Sequence, residues 1–260
     1  MKQTNFTKTV VSIIEEYFKN LDEELIFSNE LHLQMHLAQH LVGQGYRLLY
    51  EYHIPSEKLK NVDKKDKDGK FVNYPWRTNG KPQEMYLDLV VTDKYESEYV
   101  PIEIKYKTRR LTTNKIFNKK TEEEIELLRN QGAHNIGMYN FWKDVHRLEM
   151  VRDTYCDFGV KSGIAIFVTN DPHYFKPEEK EKDDVIRFLF RMTEGRKTSK
   201  GVLEWKERGK GYDIGDNVIK TYPKFELEGC YKIEWQDIRQ VHNPLQHRDF
   251  RYCMVVVENR

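Results

Sequence analysis

Three cysteines in 260 residues, Cys156, Cys230 and Cys253, are too few and too widely spaced for a disulfide framework. No C-x-x-C occurs, which argues against a zinc ribbon. Reducing cytosol is the expected compartment. No apolar run is long enough to span a membrane, and the segment from Met1 to Val10 lacks the apolar stretch of a secretory signal. A surplus of charge is missing too. Lys and Arg total 43 against 42 Asp and Glu, a formal net charge of +1. Any nucleic-acid footprint must therefore be local. There is no internal repeat and no low-complexity tract. Walker A, G-x-S-x-G, H-E-x-x-H and Rossmann glycine patterns are all absent.

What remains is a chain that is 38% hydrophobic and 33% charged, of a length suited to one generous domain or a core with an added subdomain. Residues 5–19 carry Phe6, Val10, Ile13, Ile14, Tyr17 and Phe18 at helical spacing. A second helix is predicted from Ser28, as N-cap, to Val42, stopped by Gly43. Residues 47–54 read as a strand ending at Pro55. Residues 57–70 are polar and mixed in charge, and are expected to form a mobile loop. Residues 134–152 read as a helix with Ile136, Tyr139, Trp142, Val145, Leu148 and Met150 inward. The apolar run 164–168 reads as a buried strand. A helix is expected within 180–192. Strands are expected over 218–227, 231–238 and 250–258, the first interrupted by Pro223.

Two strand-like runs hold the chemistry, 86–91 and 100–106. Residues i and i+2 of a strand share a face. Glu103 and Lys105 thus project together, while Ile102 and Ile104 face a core; Asp88 stands in the same way between Leu87 and Leu89. If the runs pair as a hairpin, two carboxylates and an ammonium meet. That set suits hydrolysis of phosphodiesters assisted by a divalent cation. An ordinary cross-strand ion-pair face is the plain alternative.

Glu30 lies in the middle of the apolar arc of its helix, flanked by Leu31, Leu33, Leu37, Ala38 and Leu41. A carboxylate turned toward a core needs a partner. Gln34 follows one turn later on nearly the same face. His32, His36 and His40 recur every four residues, but on a flank that reads as mostly solvated. The stretch 105–120 carries seven basic residues and no acid. Lys107, Arg109, Arg110 and Lys115 are the candidates there for phosphate contacts, unless the stretch is a solvated loop balanced by a helical acidic patch at 122–126. Gln131, with His134 and Asn135, opens the following helix.

Asp88 followed by Glu103-Ile104-Lys105 resembles the PD-(D/E)xK nuclease superfamily, the restriction-endonuclease-like fold. Leu87 stands where the proline of the family's name would be. The helix–strand–strand–strand–helix–strand order over 28–168 is a second point of resemblance. The likeness implies an α/β fold, a mixed central sheet flanked by helices in αβββαβ order. Residues 1–193 would form the core and 194–260 a β-rich extension packed on it. It implies a Mg²⁺- or Mn²⁺-dependent nuclease, acting on DNA, in restriction, defence or repair. Asp88, Glu103 and the Ile104 carbonyl would hold the cation, with Glu30 as a further acid from the helix. Lys105 would position or help deprotonate the attacking water and stabilise the developing phosphorane charge. Gln34 and Gln131 would support the site. A homodimer is expected if both strands of a duplex are cut. A nucleic-acid-binding module on the same fold, without catalysis, is the alternative.

Overall fold

The computed structural model describes residues 5–22, 25–55, 58–59, 77–78, 81–82, 84–116, 119–176, 188–205, 221–238 and 249–258. Most of the expected loop at 57–70 and of the expected helix at 180–192 lies outside these residues. Among the described residues three α-helices, α1 (Asn5–Lys19), α2 (Glu30–Gly43) and α3 (His134–Tyr155), accompany twelve strands. The strands are β1 (Arg47–Ile54), β2 (Arg77–Thr78), β3 (Lys81–Pro82), β4 (Met85–Thr92), β5 (Tyr99–Lys107), β6 (Leu111–Ile116), β7 (Lys119–Leu128), β8 (Gly163–Thr169), β9 (Gly201–Leu203), β10 (Phe225–Leu227), β11 (Trp235–Asp237) and β12 (Arg251–Val257).

Helix α1 forms because its apolar residues fall on one stripe; Val10, Ile14, Tyr17 and Phe18 are all buried. Helix α2 starts one residue later than expected. Asn29, not Ser28, is the N-cap, and its side chain accepts the His32 amide at 2.8 Å. The helix ends at Gly43, and the chain leaves through Gly45 at φ +89°. Leu33, Leu37, Ala38 and Leu41 enter the core as their spacing predicts, whereas Leu31 stays 57% exposed.

Six strands form one mixed sheet in the order β1-β4-β5-β8-β12-β11. The expected hairpin is present: β4 and β5 run antiparallel, with Leu89 opposite Ile102 and Val91 opposite Val100. β5 then runs parallel to β8, with Lys105 opposite Phe167. All seven residues of β8 are buried, which accounts for its unbroken apolar sequence. One sheet face packs on α1 and α2 through Leu89, Val91, Ile102, Ile104 and Ile166. The other packs on α3 through Leu87, Val90, Ala165 and Phe167.

The C-terminal strands are built into this sheet. β12 pairs antiparallel with β8 along its whole length, and β11 pairs with β12. The part expected as a β-rich extension packed on the core in one compact unit thus shares the core's own sheet, with residues 251–257 forming the strand beside β8. The short β9–β10 ladder covers the outer side of α3, where Glu149 accepts the Glu228 and Gly229 amides and the Tyr231 hydroxyl. α3 is therefore buried nearly all round, including Asp144, His146, Glu149 and Arg152. Ile136, expected in the core, is only half-buried.

Beyond β5, the described residues of 111–128 form neither a loop nor a helix. β6 and β7 make a separate antiparallel hairpin, anchored where buried Leu111 meets Leu128. The acidic patch expected to be helical is part of β7. Thr112, Arg110 and Glu124 join across the two strands, and such cross-strand partners outweigh the helix preference of glutamate.

Candidate active site

Asp88, Glu103 and Lys105 do meet, on β4 and β5. Asp88 Oδ2 accepts the Ile104 amide at 2.6 Å, so this carboxylate is tied to the strand that carries the other two residues. Burial pushes the Asp88 carboxyl up to about 6, against the pull of the Lys105 ammonium and the Ile104 amide. Glu103 is 1% exposed. Burial raises its carboxyl well above the ordinary range, although the Arg147 guanidinium opposes the shift. Neither Glu103 oxygen has a hydrogen-bond partner among the described residues. Arg147 Nη1 stands 3.3 Å from Oε1, within ion-pair reach but out of hydrogen-bond alignment.

Lys105 Nζ lies 3.0 Å from Asp144 Oδ2 and 3.9 Å from Glu30 Oε1, and donates to the Ile104 carbonyl at 3.2 Å. Burial alone would favour the neutral amine, but Asp144, Glu30, Glu103 and Asp88 outweigh it and hold the ammonium charged. A lysine held in this way attracts phosphate and stabilises developing negative charge. It does not suit proton abstraction, so of the two roles expected for Lys105 the electrostatic one fits.

Glu30 reaches the site from α2, as its place in the apolar arc predicts. Its Oε2 accepts the Tyr106 amide at 2.8 Å, so the carboxylate fixes β5 one residue beyond Lys105. Gln34 is buried and donates to the Asp88 carbonyl at 2.7 Å. Gln131 meets the site's surroundings through its backbone, donating to the Thr108 carbonyl at 2.8 Å. Helix α3 begins three residues later, at His134.

Asp144 and Arg147 were not expected. They come from α3, three residues apart, and bond to each other at 3.3 Å. Arg147 Nη2 also donates to the Tyr86 carbonyl at 2.5 Å, just before the Leu87–Asp88 step. A signal for Asp144 was present in the sequence. At about 100° per residue it falls within roughly 60° of Phe141 and on the same arc as Leu148, the pattern that singled out Glu30. Lys143 is close as well; burial lowers its pKa, with Asp144 opposing and Arg147 adding to the effect.

The basic candidates separate. Lys107 is half-buried at the end of β5, and Arg109 is exposed, its amide held by Asn170 Oδ1 at 2.7 Å. Arg110 is engaged within the hairpin, 3.5 Å from Glu124 and 3.2 Å from Glu126. Lys115 is exposed on β6, far along the hairpin. The histidines of α2 make an aromatic seam with α1 and Phe27 more than a solvated face; His36 Nδ1 bonds the Tyr17 hydroxyl at 2.9 Å.

A divalent cation can be tested against this donor set. Two carboxylates with raised pKa values, one of them buried without a hydrogen bond among the described residues, are short of positive charge, and the Ile104 carbonyl directly follows Glu103 in the chain. That fits a hard cation. Among the described residues no group of three or more His, Cys, Asp or Glu side chains is arranged to hold a metal. A cation here would have to be held by two carboxylates, the Ile104 carbonyl and water, a set of the kind Mg²⁺ accepts. Glu30, expected as a further acid, keeps Oε2 on the Tyr106 amide and has Oε1 3.9 Å from Lys105 Nζ. No described helix is long and apolar enough to cross a membrane. The chain matches no protein-family model, no curated protein and no solved structure.

Proposed function

We propose that this chain is a divalent-cation-dependent nuclease of the PD-(D/E)xK kind, hydrolysing phosphodiester bonds in DNA. The observation that carries the reading is the convergence of Asp88, Glu103 and Lys105, with Asp88 bonded to the amide between the other two. The order α2-β1-β4-β5-α3-β8, with antiparallel β1, β4 and β5 and a parallel β5–β8 step, supports a restriction-endonuclease-like core.

Asp88 and Glu103, with the Ile104 carbonyl, would hold Mg²⁺ or Mn²⁺. When bound, the cation lowers the pKa of a coordinated water and offsets phosphate charge. Lys105 supplies a fixed positive charge for the phosphate. Asp144 and Glu30 keep its ammonium charged and in place. Arg147 holds the buried Glu103 carboxylate and the backbone leading to Asp88. Lys107 and Arg109 extend the positive charge from the end of β5 along the path of a strand.

A second reading has an observation of its own. Lys105 and Arg147 already partner the site's acids, and the described residues lack a closed metal cage. Those facts favour a nucleic-acid-binding module without catalysis.

Incubation of plasmid and single-stranded DNA with Mg²⁺ or Mn²⁺ decides between them. Cleavage that needs the cation and disappears in both Asp88→Asn and Lys105→Ala supports the nuclease. Salt-sensitive DNA binding without cleavage supports the module. Neither binding nor cleavage leaves the cluster as an ion-pair face.

A further inference from the structure

Glu51 sits inside β1 at φ +43°, in the left-handed region that a glutamate in a strand avoids. The β1–β4 ladder pairs Tyr50 with Leu89 and Tyr52 with Leu87, and skips Glu51 and Asp88 between them. On the other side, the β4–β5 ladder runs from Thr92 and Tyr99 to Leu89 and Ile102, and stops there. Asp88 is therefore off both ladders. The alternation of faces changes at the same place. Leu87 and Val90 lie in one core cluster although three residues apart, while Leu89 lies in the other.

The gap is filled by one side chain. Gln34 Nε2 donates to the Asp88 carbonyl at 2.7 Å and to Glu51 Oε1 at 3.3 Å. An amide nitrogen has two hydrogens, one for each acceptor. Gln34 is 5% exposed, so the loss of either acceptor would leave a buried donor unsatisfied. Freed from the ladders, Asp88 turns its carboxylate to the Ile104 amide, beside Glu103 and Lys105. Strain of this kind persists only where the surroundings over-determine it, and such places gather at functional sites.

We propose that Gln34 and Glu51 are positioning residues. Together they hold Asp88 out of register with both neighbouring strands, so that its carboxylate turns to the Ile104 amide beside Glu103. The inference rests on the nuclease reading and adds to it the device that sets the first acid.

Four variants test it: Glu51→Gly, Glu51→Ala, Glu51→Gln and Gln34→Leu. For each, the Tm, the affinity for Mn²⁺ alone by calorimetry and the cation-dependent cleavage rate are measured. Glycine accepts a positive φ freely. Glu51→Gly is expected to melt at or above the wild-type temperature, yet to bind Mn²⁺ and cleave DNA at least tenfold less well. Glu51→Gln keeps an acceptor for Gln34 and is expected to lose less than Glu51→Ala. Gln34→Leu is expected to lose both affinity and rate. A purely structural role would lower the Tm of Glu51→Gly and leave Mn²⁺ affinity in place. That result overturns the proposal, as do wild-type Mn²⁺ affinity and rate in Glu51→Gly and Glu51→Ala. If the wild-type protein neither binds Mn²⁺ nor cleaves, the nuclease reading fails, and this proposal with it. If the wild type does both and the variants match it, this proposal alone fails.

Discussion

Asp88 combines a raised pKa with a place in a charged cluster, and that gives it a pH signature. Its carboxyl titrates near about 6 in the folded chain, above the ordinary aspartate range of about 3.9. The folded state thus holds this proton more tightly than the unfolded state. The stabilising contribution is full below about pH 4 and is lost as pH rises through about 6. Glu103 shifts in the same direction. In the absence of divalent cation, Asp88→Asn is expected to gain Tm relative to wild type between pH 5 and 7.5, as followed by thermal unfolding. Mg²⁺ should stabilise wild type at pH 7.5 and leave Asp88→Asn unmoved. A Tm difference that is flat with pH would refute the account. Asp144 allows a second test at this scale. Asp144→Asn leaves the buried Lys105 ammonium without its nearest acid, a change that typically costs about 3–5 kcal/mol when one partner of a buried pair is removed. A large fall in the midpoint of urea unfolding is expected, together with loss of cleavage. Unfolding like that of wild type would mean that Lys105 finds another partner.

Among the elements, the β6–β7 hairpin is the one whose function can be separated from the fold. It is anchored by buried Leu111 and Leu128, while most of its length is exposed. Arg110 is balanced by Glu124 and Glu126, and the adjacent, exposed Arg109 has no acid bonded to its guanidinium among the described residues. Binding of DNA by the Asp88→Asn protein should therefore weaken on Arg109→Ala, with the salt slope reduced by about one. Arg110→Ala should change it less, because its charge is already screened by two carboxylates. Equal effects from both variants, measured by titration at several salt concentrations, would contradict this division. The element that sequence reading placed best is β8, whose seven buried residues leave no polar face to confuse the pattern. The least legible was β7. Three consecutive glutamates suit an exposed helix, and only the partner strand β6 makes them cross-strand neighbours of Arg110 and Thr112.

At the scale of the whole molecule, residues 194–260 cannot be removed as an accessory. β12 supplies Tyr252, Cys253, Val255 and Val257 to the two cores and covers an edge of β8. A chain ending at residue 193 would expose that edge and the outer side of α3, including Glu149. It is expected to aggregate or to lack cooperative unfolding, as judged by light scattering and calorimetry. A soluble, cooperatively folded fragment with wild-type cleavage would mean that residues 1–193 fold and act without the C-terminal strands. The site depends on the same closure. Asp144 and Arg147 reach it from a helix held in place on both sides, by the sheet and by the β9–β10 ladder.

The sequence by itself determined the helices α1 and α2, the β4–β5 hairpin and the meeting of Asp88, Glu103, Lys105 and Glu30. Those features follow from periodicities of 2 and 3.6, which are local and act within a few residues. Tertiary structure decided the rest. It buried the polar side of α3 beneath strands at least 46 residues further along the chain, and it drew Asp144 and Arg147 into the site. It also placed Glu51 opposite Asp88, where neither residue keeps its ladder partner. Each of these depends on which distant segments pack together. A local pattern carries no record of its neighbours, so the acids and amide that set the geometry of Asp88 become visible only once the sheet has formed.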